Sequence, residues 1–137
     1  MLWNEQDTAL EILTATDQAI HAFVQVSASN PLSNWLLTTI YASPNLNTRI
    51  NLWSELVAFV SSHSLPWVLA GDFNEILTHH EGPNSSPPNR KRMSIFNDLL
   101  NNCNLLDLGY NGPRFTSTNK RDNGLVMRCL DRVLANL

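Results

Sequence analysis

The chain has 137 residues, 43% of them hydrophobic and 15% charged, with a formal net charge of −3; this is the composition of one globular domain and excludes a disordered or fibrous chain. No apolar run approaches the roughly 20 residues that span a bilayer. The opening "MLWNEQDTALE" lacks both segments of a secretory signal, so an intracellular protein of cytoplasm or nucleus, neither secreted nor membrane-bound, is expected. Cys103 and Cys129 stand far apart with no metal-type spacing and are expected as reduced, buried thiols.

In chain order, "TALEILTAT" (8–16) and "AIHAFVQVS" (19–27) alternate as strands do, with Asp17-Gln18 as a tight connection. A turn and a third strand from Trp35 to Tyr41 follow, so an antiparallel meander is expected. The period then changes. Ile50, Trp53, Leu56, Val57 and Val60 recur at helical spacing, with Asn47 as the expected cap. "PWVLAG" (66–71) reads as a strand buried on both faces. "GPNSSPPN" (82–89) reads as an exposed loop. Met93, Phe96, Leu99, Leu100 and Cys103 mark a second helix, and 105–110, 114–118 and 130–137 are short strand candidates separated by "NGP" and "KRDNG" turns. Strands first, then mixed helices and strands, predict an α/β or α+β layered fold.

Charge is unevenly placed. Residues 1–89 hold one basic residue, Arg49, and eight acids, a balance of −7; residues 90–137 hold eight basic residues and four acids, a balance of +4, which together give −3. Such halves can hold a metal and a phosphate between them, and Arg90, Lys91, Arg92, Arg114, Lys120, Arg121, Arg128 and Arg132 are candidates to follow a phosphate backbone. Arg90-Lys91-Arg92 reads as a solvated helix start, although a basic run there opposes the helix dipole.

Chemistry concentrates in "LAGDFNEIL" (69–77). A buried strand ending at Gly71 delivers Asp72 at the mouth where α/β sheets place ligands. Asp72 can orient and deprotonate a water or bind a hard cation. Asn74 points to the same side if the chain stays extended, and its amide can donate to a phosphate oxygen. Phe73 is expected to turn inward, and Glu75 to be a helix-start or surface residue. His79-His80 lies in a polar loop and reads as solvated.

"GDFNEIL", "TTIYASPNLNTRINLWSEL", "MSIFNDLLNNCNLLDLGYNGPRFTSTN" and "CLDRVLAN" together resemble the endonuclease/exonuclease/phosphatase superfamily, and within it the endonuclease domain of plant LINE-type, non-LTR retrotransposons. The resemblance implies a four-layer, DNase I-like α/β sandwich. It implies a Mg2+-dependent hydrolase of DNA phosphodiesters from a polyprotein that also carries a reverse transcriptase. Asp72 then positions the nucleophilic water, Asn74 and Tyr41 hold the phosphate, and Asp131 orients the histidine of a C-terminal "SDH" segment. Thr116 of "RFTST" matches a threonine on the nucleic-acid-binding face, and Asn45 an asparagine after the tyrosine strand. Apart from the resemblance, Lys120-Arg121 in the "TNKRDNG" turn is the best candidate for phosphate contact, since a loop tip can reach a groove.

The family's N-terminal asparagine strand and metal-binding glutamate have no counterpart, and "SDH" is absent. The expectation is therefore one partial domain over 1–137, an incomplete sandwich with no metal ligand of its own and impaired catalysis. The alternatives are a non-catalytic relic that binds nucleic acid weakly and a phosphatase-type member of the superfamily.

Overall fold

The computed structural model describes residues 7–27, 34–82, 89–109, 115–121 and 124–136. In chain order the elements are β1 (Thr8–Ala15), β2 (Ala19–Val26), β3 (Trp35–Tyr41), α1 (Leu46–Ser61), β4 (Trp67–Asp72), a 3-10 turn (His79–Glu81), α2 (Arg90–Asn102), β5 (Leu106–Asp107), β6 (Ser117–Arg121), β7 (Gly124–Arg128) and β8 (Asp131–Asn136). The core of the 82–89 loop, the turn at 30–33, the "NGP" turn, Arg114 and the 122–123 tip of the "KRDNG" turn lie outside the described residues.

The expected meander is present: β1, β2 and β3 pair antiparallel in sequence order. The Asp17-Gln18 turn is closed by the Thr16 N–H donating to Ala19 O at 2.8 Å. Through α1 the chain crosses to β4, which pairs parallel with β3. β8 then pairs antiparallel with β4, and β5 with β8, giving the order β1-β2-β3-β4-β8-β5; β6 and β7 form a separate hairpin.

Three boundaries differ from the sequence reading. Asn45, not Asn47, caps α1: its side-chain oxygen accepts from the Asn47 and Thr48 amides at 2.9 and 3.3 Å. The strand expected over 105–110 shrinks to Leu106–Asp107, because the Asp107 carboxylate accepts the Gly109 N–H at 2.9 Å and Gly109 takes φ +65; that local turn competes with the ladder. The strand expected at 114–118 is shifted to 117–121.

Helical periodicity decides the core. Leu52, Trp53 and Leu56 of α1 and Phe96, Leu99 and Leu100 of α2 pack on Leu36, Ile40, Trp67, Leu69 and Leu134, so both helices cover one face of the sheet. The opposite face carries the register row Ile20, Thr39, Ala70, Val133, with Ile20 43% and Val133 37% exposed. β4 is consequently buried fully on the helix face only. Trp67 and Leu69 are inaccessible, whereas Val68 and Ala70 are half-buried, which corrects the expectation of a strand covered on both sides. Cys103 and Cys129 are buried thiols outside any disulfide, as expected. None of the described helices is long and apolar enough to cross a membrane.

Candidate active site

Strand register brings the candidate residues together. Tyr41 is the partner of Asp72 across β3 and β4, and Asp72 is the partner of Asp131 across β4 and β8. Paired residues project from the same face of a sheet, so a phenol and two carboxylates form one row on the face away from the helices. The row lies where the parallel strands β3 and β4 end. Tyr41 is 71% exposed, hence no core tyrosine. A cleft of about 300 Å³ that includes Gln18, Ile20, Thr39 and Tyr41 flanks one end, and one of about 280 Å³ that includes Glu81, Asp107, Asp131 and Arg132 flanks the other.

The "GDFN" segment turns sharply. Gly71 has φ +141, and a Cβ built on it would lie 2.0 Å from Ile40 O, so only glycine lets β4 run this close to β3. The chain does not stay extended to Asn74, as the sequence reading assumed. Asn74 adopts φ +49, a left-handed conformation that asparagine tolerates. Its N–H donates to Asp72 Oδ1 at 2.8 Å, and its Nδ2 donates to Ala42 O at 2.6 Å. One amide hydrogen thereby ties the loop after β4 to the loop after β3; an amide carries a second. Phe73 is wholly buried against Trp53 and Phe96 and anchors the turn as expected.

Electrostatics at Asp72 are mixed. Burial raises its carboxyl above the ordinary value of 3.8, and the Asp131 carboxylate adds to the rise; the Asn74 N–H and the Arg49 guanidinium pull the other way. Asp131 is exposed, and its own N–H and that of Leu130 both donate to Thr116 Oγ1 at 3.0 Å. The Thr116 hydroxyl therefore fixes the start of β8 and with it Asp131. Asn45 is occupied as the α1 cap. Lys120 and Arg121 lie at the end of β6, beside the hairpin tip.

Two charge clusters were not anticipated. Glu75, expected at the surface or a helix start, is only 5% exposed. Its Oε2 accepts from Arg49 Nη2 at 2.7 Å and from Arg92 Nε at 3.0 Å. Arg92 is therefore no solvated helix-start residue and is accounted for by a buried carboxylate, whereas Arg90 and Lys91 are exposed as expected. Arg132, a candidate for phosphate contact, is also buried. Its guanidinium pairs with Glu81 and, at 2.8 Å, with Asp107, and lies over the Phe96 ring.

The histidines divide as their surroundings dictate. His21 is fully buried, with Nδ1 2.8 Å from Thr38 Oγ1 and Nε2 3.1 Å from Glu55, and stacks on Phe59. His79 and His80 are exposed on the 3-10 turn. Among the described residues no group of three His, Cys, Asp or Glu side chains is placed to hold a metal ion.

The sequence profile of the endonuclease/exonuclease/phosphatase family matches residues 7–137. Among solved structures, the chain is similar to the endonuclease domain of TRAS1, a telomere-specific non-LTR retrotransposon, with a TM-score of 0.69 at 12% identity over 98% of this chain and 58% of that one. It is also similar to D. rerio TDP2 complexed with a single-stranded DNA product (TM-score 0.56, 15% identity, 96% of this chain and 54% of that one). A third is the F277A, P278A mutant of Staphylococcus aureus beta toxin with bound magnesium ions (TM-score 0.53, 17% identity, 86% and 41%). The chain thus spans about 40 to 60% of the length of each. No curated protein matches it in sequence. The fold is the α/β, DNase I-like one of that family.

Proposed function

The chain belongs to the endonuclease/exonuclease/phosphatase family, and from that premise we propose that it is an endonuclease-like domain of retroelement origin, of the plant LINE type, directed at DNA phosphodiesters with Mg2+. The observation that carries this reading is the register row Tyr41, Asp72, Asp131 at the ends of β3 and β4. The likeness to a retrotransposon endonuclease domain and to an enzyme bound to a DNA product supports a nucleic-acid substrate.

Each group has a task set by its chemistry. Asp72, its carboxyl raised by burial and then by Asp131, is the stronger base for it, and orients and deprotonates the attacking water. The second amide hydrogen of Asn74 and the Tyr41 hydroxyl donate to phosphate oxygens. Asp131, held by Thr116, is the acid that orients an imidazole. No cluster of three metal-ligating side chains stands among the described residues, so Mg2+, which takes one or two carboxylates and completes its shell with phosphate and water, would be held by Asp72 together with the substrate rather than caged by protein. Such a cation stabilises charge on the phosphoryl and leaving oxygens when bound.

Hydrolysis by these 137 residues is slow in this reading. The sequence holds no "SDH" histidine and no match to the family's metal-binding glutamate. Loss of one charge-stabilising group costs about 10²–10³ in rate. A second reading, a relic that only binds nucleic acid, is favoured by the engagement of Asp72 and Asn74 in their own turn. Plasmid nicking with and without Mg2+ tests both. Little nicking above an EDTA control is expected, together with salt-sensitive retention on DNA. Robust nicking abolished by Asp72→Ala would overturn the impairment, and absence of retention at low salt would overturn the DNA reading.

A further inference from the structure

Behind the site row lies a buried ionic cluster that no step above uses. Arg49, four residues into α1, is completely inaccessible. Its Nη1 donates to Ser43 O at 2.6 Å and its Nη2 to Glu75 Oε2 at 2.7 Å. Arg92, in the first turn of α2, donates from Nε to the same Oε2 at 3.0 Å and from Nη2 to Asn74 O at 3.5 Å. One guanidinium thus grips the loop after Tyr41, and its carboxylate partner lies directly after Asn74. On the site side the same two loops meet again, through Asn74 Nδ2 to Ala42 O and the Ala42 N–H to Asp72 O at 2.8 Å.

Stability alone does not account for this arrangement. Taking two guanidiniums and a carboxylate out of water costs several kcal/mol per ion, and apolar side chains of similar volume commonly serve a core as well or better. Arg49 Nε is buried without a hydrogen-bond partner among the described residues, a further cost. Burial accordingly pulls the Arg49 guanidinium below its ordinary value despite Glu75. What the cluster provides is geometry: planar, forked donors fix two backbone segments at once, which a single ammonium or an apolar contact cannot do.

We propose that Arg49 and Glu75, braced by Arg92, are positioning residues that hold the Tyr41 loop and the Asp72–Asn74 turn at the spacing a phosphodiester requires. The proposal rests on the functional reading above for its substrate, though not for the clamp itself. Positioning of this kind matters because a displacement of about 1 Å at a reacting centre can cost 10²-fold in rate. The cluster also leaves one positive charge in excess, and Arg49 acts on the Asp72 carboxylate.

The test compares the wild-type chain with Arg49→Met/Glu75→Met, which replaces the ion pair by apolar side chains and should fold, and with Arg49→Lys, which keeps the charge but loses the fork. Two readouts are followed by NMR: amide hydrogen exchange, and the shifts of the Asn74 side-chain amide and the Tyr41 ring on titration with a short DNA duplex. The expected result is exchange at Ala42 and Asn74 at least about tenfold faster in both variants, with Leu69 and Leu134 unchanged, and a several-fold loss of DNA affinity. Exchange that rises equally at all four amides, or at none, overturns the proposal, because a merely structural pair acts on the whole core. Should the double variant fail to fold, Arg49→Lys decides by the same criterion. If the wild-type resonances do not respond to DNA, the functional reading falls, and the exchange pattern alone judges the clamp.

Discussion

At Asp72 exclusion from water and proximity to Asp131 act in the same direction, and both raise its carboxyl above 3.8. An acid whose folded value is raised destabilises the fold where it is ionised in both states and costs nothing where it is protonated in both. Its contribution to stability therefore falls as pH rises from 3.8 through the folded value. Asp72→Asn retains an oxygen to accept the Asn74 N–H and removes the charge. We expect this variant to be more stable than the wild type at pH 7, with the difference shrinking toward zero below pH 3.8; thermal melts across that range measure it. A gap that stays constant with pH would show that charge is not the cause. Only half of this residue was legible in the sequence: "GDFN" names the acid, but its partner Asp131 lies 59 positions away and is brought beside it by β8. Arg49 and Glu75 did leave a signal. Arg49 is the lone basic residue of an acidic half and stands four residues before Trp53 and seven before Leu56, on the apolar face of α1.

Among the elements, α1 and β4 each depend on a single residue. Asn45 satisfies two open amides of α1, and Asn45→Ala is expected to cost about 1 kcal/mol in denaturant unfolding while leaving DNA retention unchanged. Retention that drops at constant stability would instead make Asn45 a contact residue. Gly71 is less forgiving. With Ile40 O 2.0 Å from any Cβ and φ at +141, Gly71→Ala must push β3 from β4, and a loss of at least about 3 kcal/mol is expected; a midpoint within experimental error of wild type would refute the close approach. Period and alternation located the long elements well because α1 and β1 to β3 are patterned over seven or more residues. The short elements β5 and β6 were misplaced, since a local Asp107 turn stops β5 and a hairpin with its own pairing sets where β6 begins.

For the molecule as a whole, the acidic and basic halves meet in part inside the fold. Glu75 and Glu81 of the first half pair with Arg92 and Arg132 of the second. Those two arginines are engaged in ion pairs, so in the proposed function DNA retention would fall to residues such as Lys120 and Arg121. The salt dependence reports this. Each neutralised phosphate contributes about 0.9 to the slope of log K against log salt, so Lys120→Ala/Arg121→Ala is expected to reduce the slope by about 1.8. An unchanged slope would remove the hairpin tip from the interface.

The sequence by itself determined the family, the meander and the two helices and named the candidate site residues, because motifs and periodicity are local and survive in one dimension. Tertiary structure decided what those residues do to one another. It aligned Tyr41, Asp72 and Asp131 in one register row, turned Asn74 back onto Ala42, and buried Glu75 between two arginines. Those contacts join positions 17 to 59 residues apart, and only strand pairing and helix packing set the distances between them.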